Sequence, residues 1–143
     1  MKAEKFSNQL AITFALTMMM VLLTGKISFG QTSKEEAKKY NRMIENLKVG
    51  IQSNNEGVRR DCIYLAGKYE YTEVVEVLID ALKQEKNPKN RALIALALYR
   101  IGDEKGIKAV YEVSLVETDA KVKHTCKAIV DEFKSAKAVA VNE

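Results

Sequence analysis

Apolar residues recur with helical spacing in three blocks of the chain. Within a block they fall at about i, i+4, i+7, i+8 and i+11, which places them on one face of an α-helix. The three sets are Val58, Cys62, Leu65, Ala66 and Tyr69; then Ile94, Ala97, Leu98 and Ile101; then Val122, Cys126, Ile129, Val130 and Phe133. No run alternates with period two, so the pattern predicts helices and no strands.

A second amphipathic stretch precedes each block and is predicted to pair with it as a helical hairpin. The three stretches are Tyr40, Met43, Ile44, Leu47 and Ile51; then Val74, Val75, Leu78, Ile79 and Leu82; then Ile107, Val110, Tyr111 and Leu115. The connections are short, which favours antiparallel neighbours. The middle block also carries Leu93, Ala95 and Leu96, so its helix is predicted to lie between the other two.

The starts of the three blocks repeat every 32 residues, at Asn55, Asn87 and Asp119. Asn and Asp accept hydrogen bonds from the free backbone N–H groups of a first helical turn, so these residues are predicted N-caps. Pro88 follows the second cap, where its missing N–H costs the helix nothing. A period of this length predicts a repeat array, of which three units is about the smallest that stands alone.

The three caps, the Val-Arg pair after the first cap and the stretch at 98–103 resemble HEAT-like repeat proteins over residues 40–134. The family's Asp-x-x-Val-Arg stretch is held loosely, since Asn55 and Asn87 replace Asp, Asn90 replaces Val and Lys123 replaces Arg. The resemblance implies an all-α fold: a right-handed, armadillo-like α-solenoid of three helical hairpins. It also implies a concave surface, lined by the second helices, that binds partners without chemistry of its own.

Three cations, Arg59, Arg91 and Lys123, share one position of the repeat. They lie about 70° from the centre of the apolar face, at the predicted seam between units. HEAT-like proteins place a cation there that bonds caps and carboxylates of neighbouring repeats, so the resemblance implies a structural role. The alternative is a basic ladder for an anionic partner.

The helix face opposite the core is the candidate partner-binding surface. Because they lie opposite the core, we expect Tyr64, Leu96 and Tyr99 to be exposed. Aromatic and Arg residues on a rigid exposed surface are the residues that interface hot spots favour. The candidate contact residues are Arg60, Tyr64, Leu96, Tyr99, Arg100 and His124, and the face also includes Gly67, Ala92, Ala128 and Asp131. The alternatives are that the first helices or the tail cover these residues, or that they are scattered exposed apolars without a role.

Composition narrows the classes of function. The 143 residues suit one domain. The 23 Lys and Arg against 19 Asp and Glu give a formal charge of +4. This excess is spread along the chain, whereas a nucleic-acid-binding protein gathers its positive charge in one patch. One His, two Cys and no glycine-rich phosphate loop predict no metal and no cofactor. His124 is interpreted as a surface residue, and Glu73, Glu76 and Asp80 as a solvated helix face and not catalytic carboxylates.

The N-terminus has the pattern of a secretory signal. Lys2 and Lys5 precede an apolar run from Leu10 to Leu23, which is shorter than the roughly 20 residues that span a bilayer, and small residues lead to Gly30. We predict a signal peptide at 1–30, a repeat domain at 31–134 and a flexible tail at 135–143 that frays or extends the last helix. The protein is thus predicted to be periplasmic or secreted, with an uncleaved membrane anchor as the alternative.

Export would expose Cys62 and Cys126 to an oxidising compartment. They occupy the same position in the first and third units, so the middle helix should hold their Cα atoms about 20 Å apart. A disulfide requires less than about 7 Å, which predicts two buried free thiols.

These patterns together predict a non-enzymatic protein-interaction module or scaffold of the cell envelope, whose partner is another protein. One alternative is an accessory or lyase-like HEAT protein acting on a small ligand, which a deep pocket of convergent polar groups would favour. A second is a reader of DNA phosphates, which steep salt dependence of binding would reveal.

Overall fold

A computed structural model describes residues 33–140 of the chain, and these residues contain helices and no strand. The helices are α1 (33–51), α2 (Glu56–Lys68), α3 (Val75–Gln84, after a 3-10 turn at Thr72–Val74), α4 (Pro88–Ile101), α5 (Glu104–Val116) and α6 (Ala120–Ala140). The all-α prediction is confirmed. The right-handed superhelix and the grouping into three hairpins stay predictions.

The chain divides into two compact units, residues 1–42 and 43–143. The described part of the first unit is 33–42, which is helical and exposed. Within 33–140, no helix has the length and apolar character needed to cross a membrane. The predicted signal segment, with its apolar run, lies outside the described residues.

The predicted N-caps are confirmed at all three positions. The Asn55 side chain accepts from the N–H groups of Gly57 and Val58 at 3.0 and 3.2 Å. Asn87 caps α4 and Asp119 caps α6 through the same kind of bond. These bonds satisfy N–H groups that have no partner within a helix, which is why each block starts its helix at this point.

The core of residues 43–140 is built around α4, which packs against α2, α3, α5 and α6. Ile94, Ala95, Ala97 and Leu98 are all buried, so this helix has apolar residues on more than one side. The predicted position of the middle helix between the other two is therefore confirmed.

Gly67 does not lie on the exposed face where the pattern placed it. It is buried against α4, and a Cβ atom at this position would lie 2.8 Å from the Cα atom of Ala97. The two helices approach each other so closely here that the missing side chain is required by the packing.

The last helix includes most of the predicted tail. Residues 135–140, predicted as part of a flexible tail, continue α6 to Ala140, which is the extension that the sequence left open. Alanines favour the helix, and the Lys137 ammonium bonds the Glu104 carboxylate and so ties this end of α6 to α5. Residues 141–143 lie outside the described residues.

Both cysteines are free thiols, and Cys126 is buried as predicted. Cys62 is only half-buried, which corrects the expectation for that residue. Its sulfur packs beside Gly50, where a Cβ atom would lie 2.2 Å from Sγ. Burial raises the pKa of both thiols, because desolvation disfavours the thiolate.

Candidate functional site

A bidentate salt bridge between Arg91 and Glu117 joins the start of α4 to the end of α5. Arg91 Nε lies 2.7 Å from Glu117 Oε2, and Nη2 lies 2.8 Å from Oε1. The third guanidinium nitrogen donates to the backbone carbonyl of Lys86 at 2.8 Å. Arg91 thus binds both Glu117 of the following unit and a backbone carbonyl in the turn before its own helix.

The same arrangement occurs 32 residues earlier. Arg59 Nε lies 3.0 Å from Glu85 Oε2, and its Nη1 donates to the Ser53 carbonyl at 2.7 Å. Glu85 also accepts the backbone N–H of Asn87 at 2.9 Å. Each carboxylate therefore binds the cation of the preceding unit and the N-cap of its own unit.

The environment of both carboxylates favours their charged forms. Hydrogen bonding from Arg91 is the main cause that lowers the pKa of Glu117, with backbone N–H groups of Asp119 and Thr118 adding to it. Burial by itself raises the pKa of Glu85, but bonds from Asn87, Arg59 and Asn90 outweigh it, so its pKa is also lowered. Both groups are ionised at neutral pH.

The sequence patterns missed a buried polar cluster beside this seam. The Asn90 amide is buried, with its nitrogen 3.3 Å from both Glu56 Oε1 and Glu85 Oε2. Asn87 donates to the same Glu56 oxygen at 2.7 Å. The sequence held a signal for the two acidic partners of the cations: Glu85 and Glu117 are 32 residues apart, which is also the spacing of Arg59 and Arg91.

The third cation position differs from the other two. Lys123 is half-buried near the start of α6, and within residues 33–140 no carboxylate forms an ion pair with it. Ser53, which stands where later units have Glu85 and Glu117, offers no carboxylate either. The ion-paired seam thus joins the middle unit to each of its two neighbours.

The candidate partner-binding residues are mostly exposed. Arg60, Arg100 and His124 are exposed, and Tyr64 and Leu96 keep 55% and 43% of their surface. Tyr99 is half-buried and packs against the core cluster, so the expectation that it is exposed is wrong. It lies one turn beyond Leu96 on the side of α4 that meets the rest of the domain.

The packing of α2 against α4 sets where Tyr64 and Leu96 lie. The two residues occupy equivalent positions of adjacent helices. Gly67, three residues after Tyr64, packs closely against Ala97, the residue after Leu96, and this contact holds the two helices together. Lys68 Nζ lies 5.9 Å from the Tyr64 ring centroid. Tyr64 and Leu96 thus stand on two closely packed helices, with the Lys68 ammonium beside the Tyr64 ring.

A groove of about 780 Å³ runs between α5 and α6. Two pairs of its polar residues contact each other: the Lys137 ammonium bonds the Glu104 carboxylate, and Lys134 Nζ lies 5.4 Å from the Tyr111 ring centroid. Within residues 33–140, no group of three His, Cys, Asp or Glu residues could hold a metal ion.

A family model of HEAT repeats matches residues 44–130. The chain belongs to the HEAT repeat family. The match covers α2 to α5 entirely and parts of α1 and α6, so the family resemblance is confirmed over the same helices that carry the seam. No curated protein matches the chain.

Proposed function

We propose that this HEAT repeat protein is a protein-interaction module of the cell envelope, and that its partner docks on the exposed face of α2 and α4. HEAT repeats commonly mediate protein–protein contacts, which supports the general class. The observation that carries the site is the exposed pair Tyr64 and Leu96, held on adjacent helices by the Gly67 contact.

This pair has the properties of an interface centre. Tyr buries a large area on binding while losing little conformational entropy, and a rigid support reduces the ordering cost further. Arg60 precedes Tyr64 by one helical turn, and Arg100 follows Leu96 by one turn. A partner segment with an apolar side chain at its centre and acidic neighbours would match this arrangement.

Export to the periplasm or beyond is part of the proposal and rests on the N-terminal signal pattern alone. Cell fractionation of the full chain, with an antibody against the repeat domain, tests it. Recovery of a shortened chain that begins near residue 31 outside the cytoplasm supports export, whereas a full-length cytoplasmic chain contradicts it.

The binding face is tested by site-specific photo-crosslinking in cells. A photoreactive residue replaces Tyr64 in one variant and Leu115 in a matched control, since Leu115 is also exposed but lies on α5. We expect a crosslinked partner from position 64 and not from position 115. The partner should then bind the Tyr64→Ala, Leu96→Ala double variant at least about 10-fold more weakly, since truncating a hot spot costs about 2 kcal/mol or more.

Two results would reject this face: equal crosslinking from both positions, or full affinity in the double variant. If the purified protein instead bound DNA with a steep dependence on salt, the surface would be a phosphate reader.

A further inference from the structure

Helix α2 carries an apolar stripe that the rest of residues 33–140 leaves partly open. Val58, Cys62, Leu65 and Tyr69 follow one another at spacings of four, three and four residues. This is the spacing of a seam between two packed helices. Val58 keeps 46% of its surface exposed and Leu65 keeps 38%, Tyr69 is exposed, and Cys62 is half-buried.

The equivalent stripes of α4 and α6 are covered. Thirty-two residues further on, Asn90, Ile94 and Ala97 are buried, with Ala97 against Gly67 of α2. The positions that follow on α6 are buried too: Val122, Cys126 and Ile129. In the second and third units this face therefore packs on the second helix of the unit before it. Residues 43–140 supply no such helix for α2, where Gly50 of α1 lies against Cys62 and Val58, Leu65 and Tyr69 stay exposed.

The outer side of α6 cannot supply the missing cover. On α2, Gly67 meets Ala97 of the next stripe, and Ile63 one turn before it is buried. The equivalent residues on α4 are Ala95, which is buried, and Tyr99, which packs on the core. Their equivalents on α6 are Lys127 and Asp131, both exposed. Stacking copies head to tail would bury these two charges against Leu65, which costs free energy that the contact does not return.

We propose that the α2 stripe is the contact of a symmetric dimer, in which α2 packs antiparallel against α2 of a second copy. In this arrangement Cys62 faces Leu65 of the second copy, and Val58 faces its Tyr69. Because the contact is isologous, each side uses the same apolar residues and the assembly closes at two copies.

The charges beside the stripe select this orientation. Asp61 and Lys68 flank it on the same side, seven residues apart, and both are exposed. In an antiparallel pair, Asp61 of each copy lies beside Lys68 of the other copy, so the dimer contains this contact twice. In a parallel in-register pair the two-fold axis puts the Asp61–Lys68 side of one copy and that of the other on opposite sides of the seam, so the Asp61–Lys68 contact is not made.

The test is sedimentation velocity of the full chain over a range of concentrations. A contact made by one short helix from each copy is small, so we expect dimerisation with a dissociation constant on the order of micromolar. Leu65→Asp should weaken dimerisation at least about 10-fold, since it places a charge in the apolar seam. The matched control is Leu96→Asp, which puts the same charge on an equally exposed Leu of α4 and should leave the dimer intact.

A charge swap tests the orientation independently of folding. Asp61→Lys and Lys68→Asp should each weaken the dimer, and the double variant should restore it, with far-UV circular dichroism verifying the helix content of every variant. A chain that is monomeric throughout overturns the proposal. So does association that survives Leu65→Asp, as it would if Leu10–Leu23 were the contact, and so does a double variant that fails to recover.

Discussion

Replacing Arg91 by Ala removes the guanidinium from the seam and leaves the Glu117 carboxylate without its countercharge. The Glu117 side chain is only 4% exposed and that of Arg91 16%, so water does little to compensate. Removing one partner of a buried ion pair costs about 3–5 kcal/mol. Glu117 keeps two backbone N–H donors, at Thr118 and Asp119, so we expect a loss near the lower end, about 3 kcal/mol.

A loss of this size is a large share of the roughly 5–15 kcal/mol that stabilises a domain. It lowers the ratio of folded to unfolded chains by more than about 100-fold. Arg59→Ala should cost less, about 2 kcal/mol, because Glu85 keeps its bonds from the Asn87 N–H and from Asn90. The free energy of unfolding of Arg91→Lys should lie between those of the wild type and Arg91→Ala, since an ammonium keeps the charge but cannot form the bidentate salt bridge.

The assay is urea unfolding at neutral pH, followed by far-UV circular dichroism, with the free energy of unfolding taken from the midpoint at constant slope. Lys105→Ala is the control, because its ion pair with Glu76 is exposed on both sides and should contribute nothing measurable. An Arg91→Met, Glu117→Gln double variant removes both charges, keeps an oxygen acceptor for the Thr118 and Asp119 N–H groups, and should recover much of the loss.

Two results would refute this account of the seam. One is an Arg91→Ala variant as stable as the wild type. The other is a double variant that is destabilised by as much as the single variant or more, because the cost would then come from lost packing and not from an unpaired buried charge.

Three further outcomes follow from the same contacts. The free energy of unfolding should fall as the pH drops below the ordinary carboxyl pKa of 4.5 and on through the lowered pKa of Glu117. The fall should be less steep in Glu117→Gln, and an identical dependence on acid pH in both proteins would contradict this. Gly67→Ala should destabilise by about 1–3 kcal/mol in urea unfolding although Ala is the better helix former, because the new methyl meets the Ala97 backbone; a stabilised variant would contradict that contact. In native protein diluted below the dissociation constant of the proposed dimer, a thiol reagent should label half-buried Cys62 before buried Cys126. The monomer mass should show two free thiols, and a mass lower by two hydrogens would contradict this.

Most of the helical architecture was predictable because its signals are local. Asn55, Asn87 and Asp119 act within one helical turn of themselves, and Pro88 restricts only its own backbone. The tail was predictable only in part, since its bond from Lys137 to Glu104 joins residues that are 33 positions apart.

The seam and the surface depended on contacts that no local pattern contains. The cations were visible as a repeat, but their acceptors Glu85 and Glu117 lie 26 residues further along the chain. Likewise, Tyr64 and Tyr99 belong to one predicted face, yet Tyr99 packs on the core.

The sequence by itself determined where helices start, which side of each is apolar and which family of repeats the chain belongs to, because these depend on neighbours within a turn or on a period of 32 residues. Only the tertiary structure decided which copies of an apolar stripe are covered. Val58 and Val122 are the same residue at equivalent positions, but Val122 is buried and Val58 is exposed. The difference arises because burial depends on the adjacent helix. Helix α6 packs against α4, whereas Val58 has beside it Gly50 of α1, a residue without a side chain.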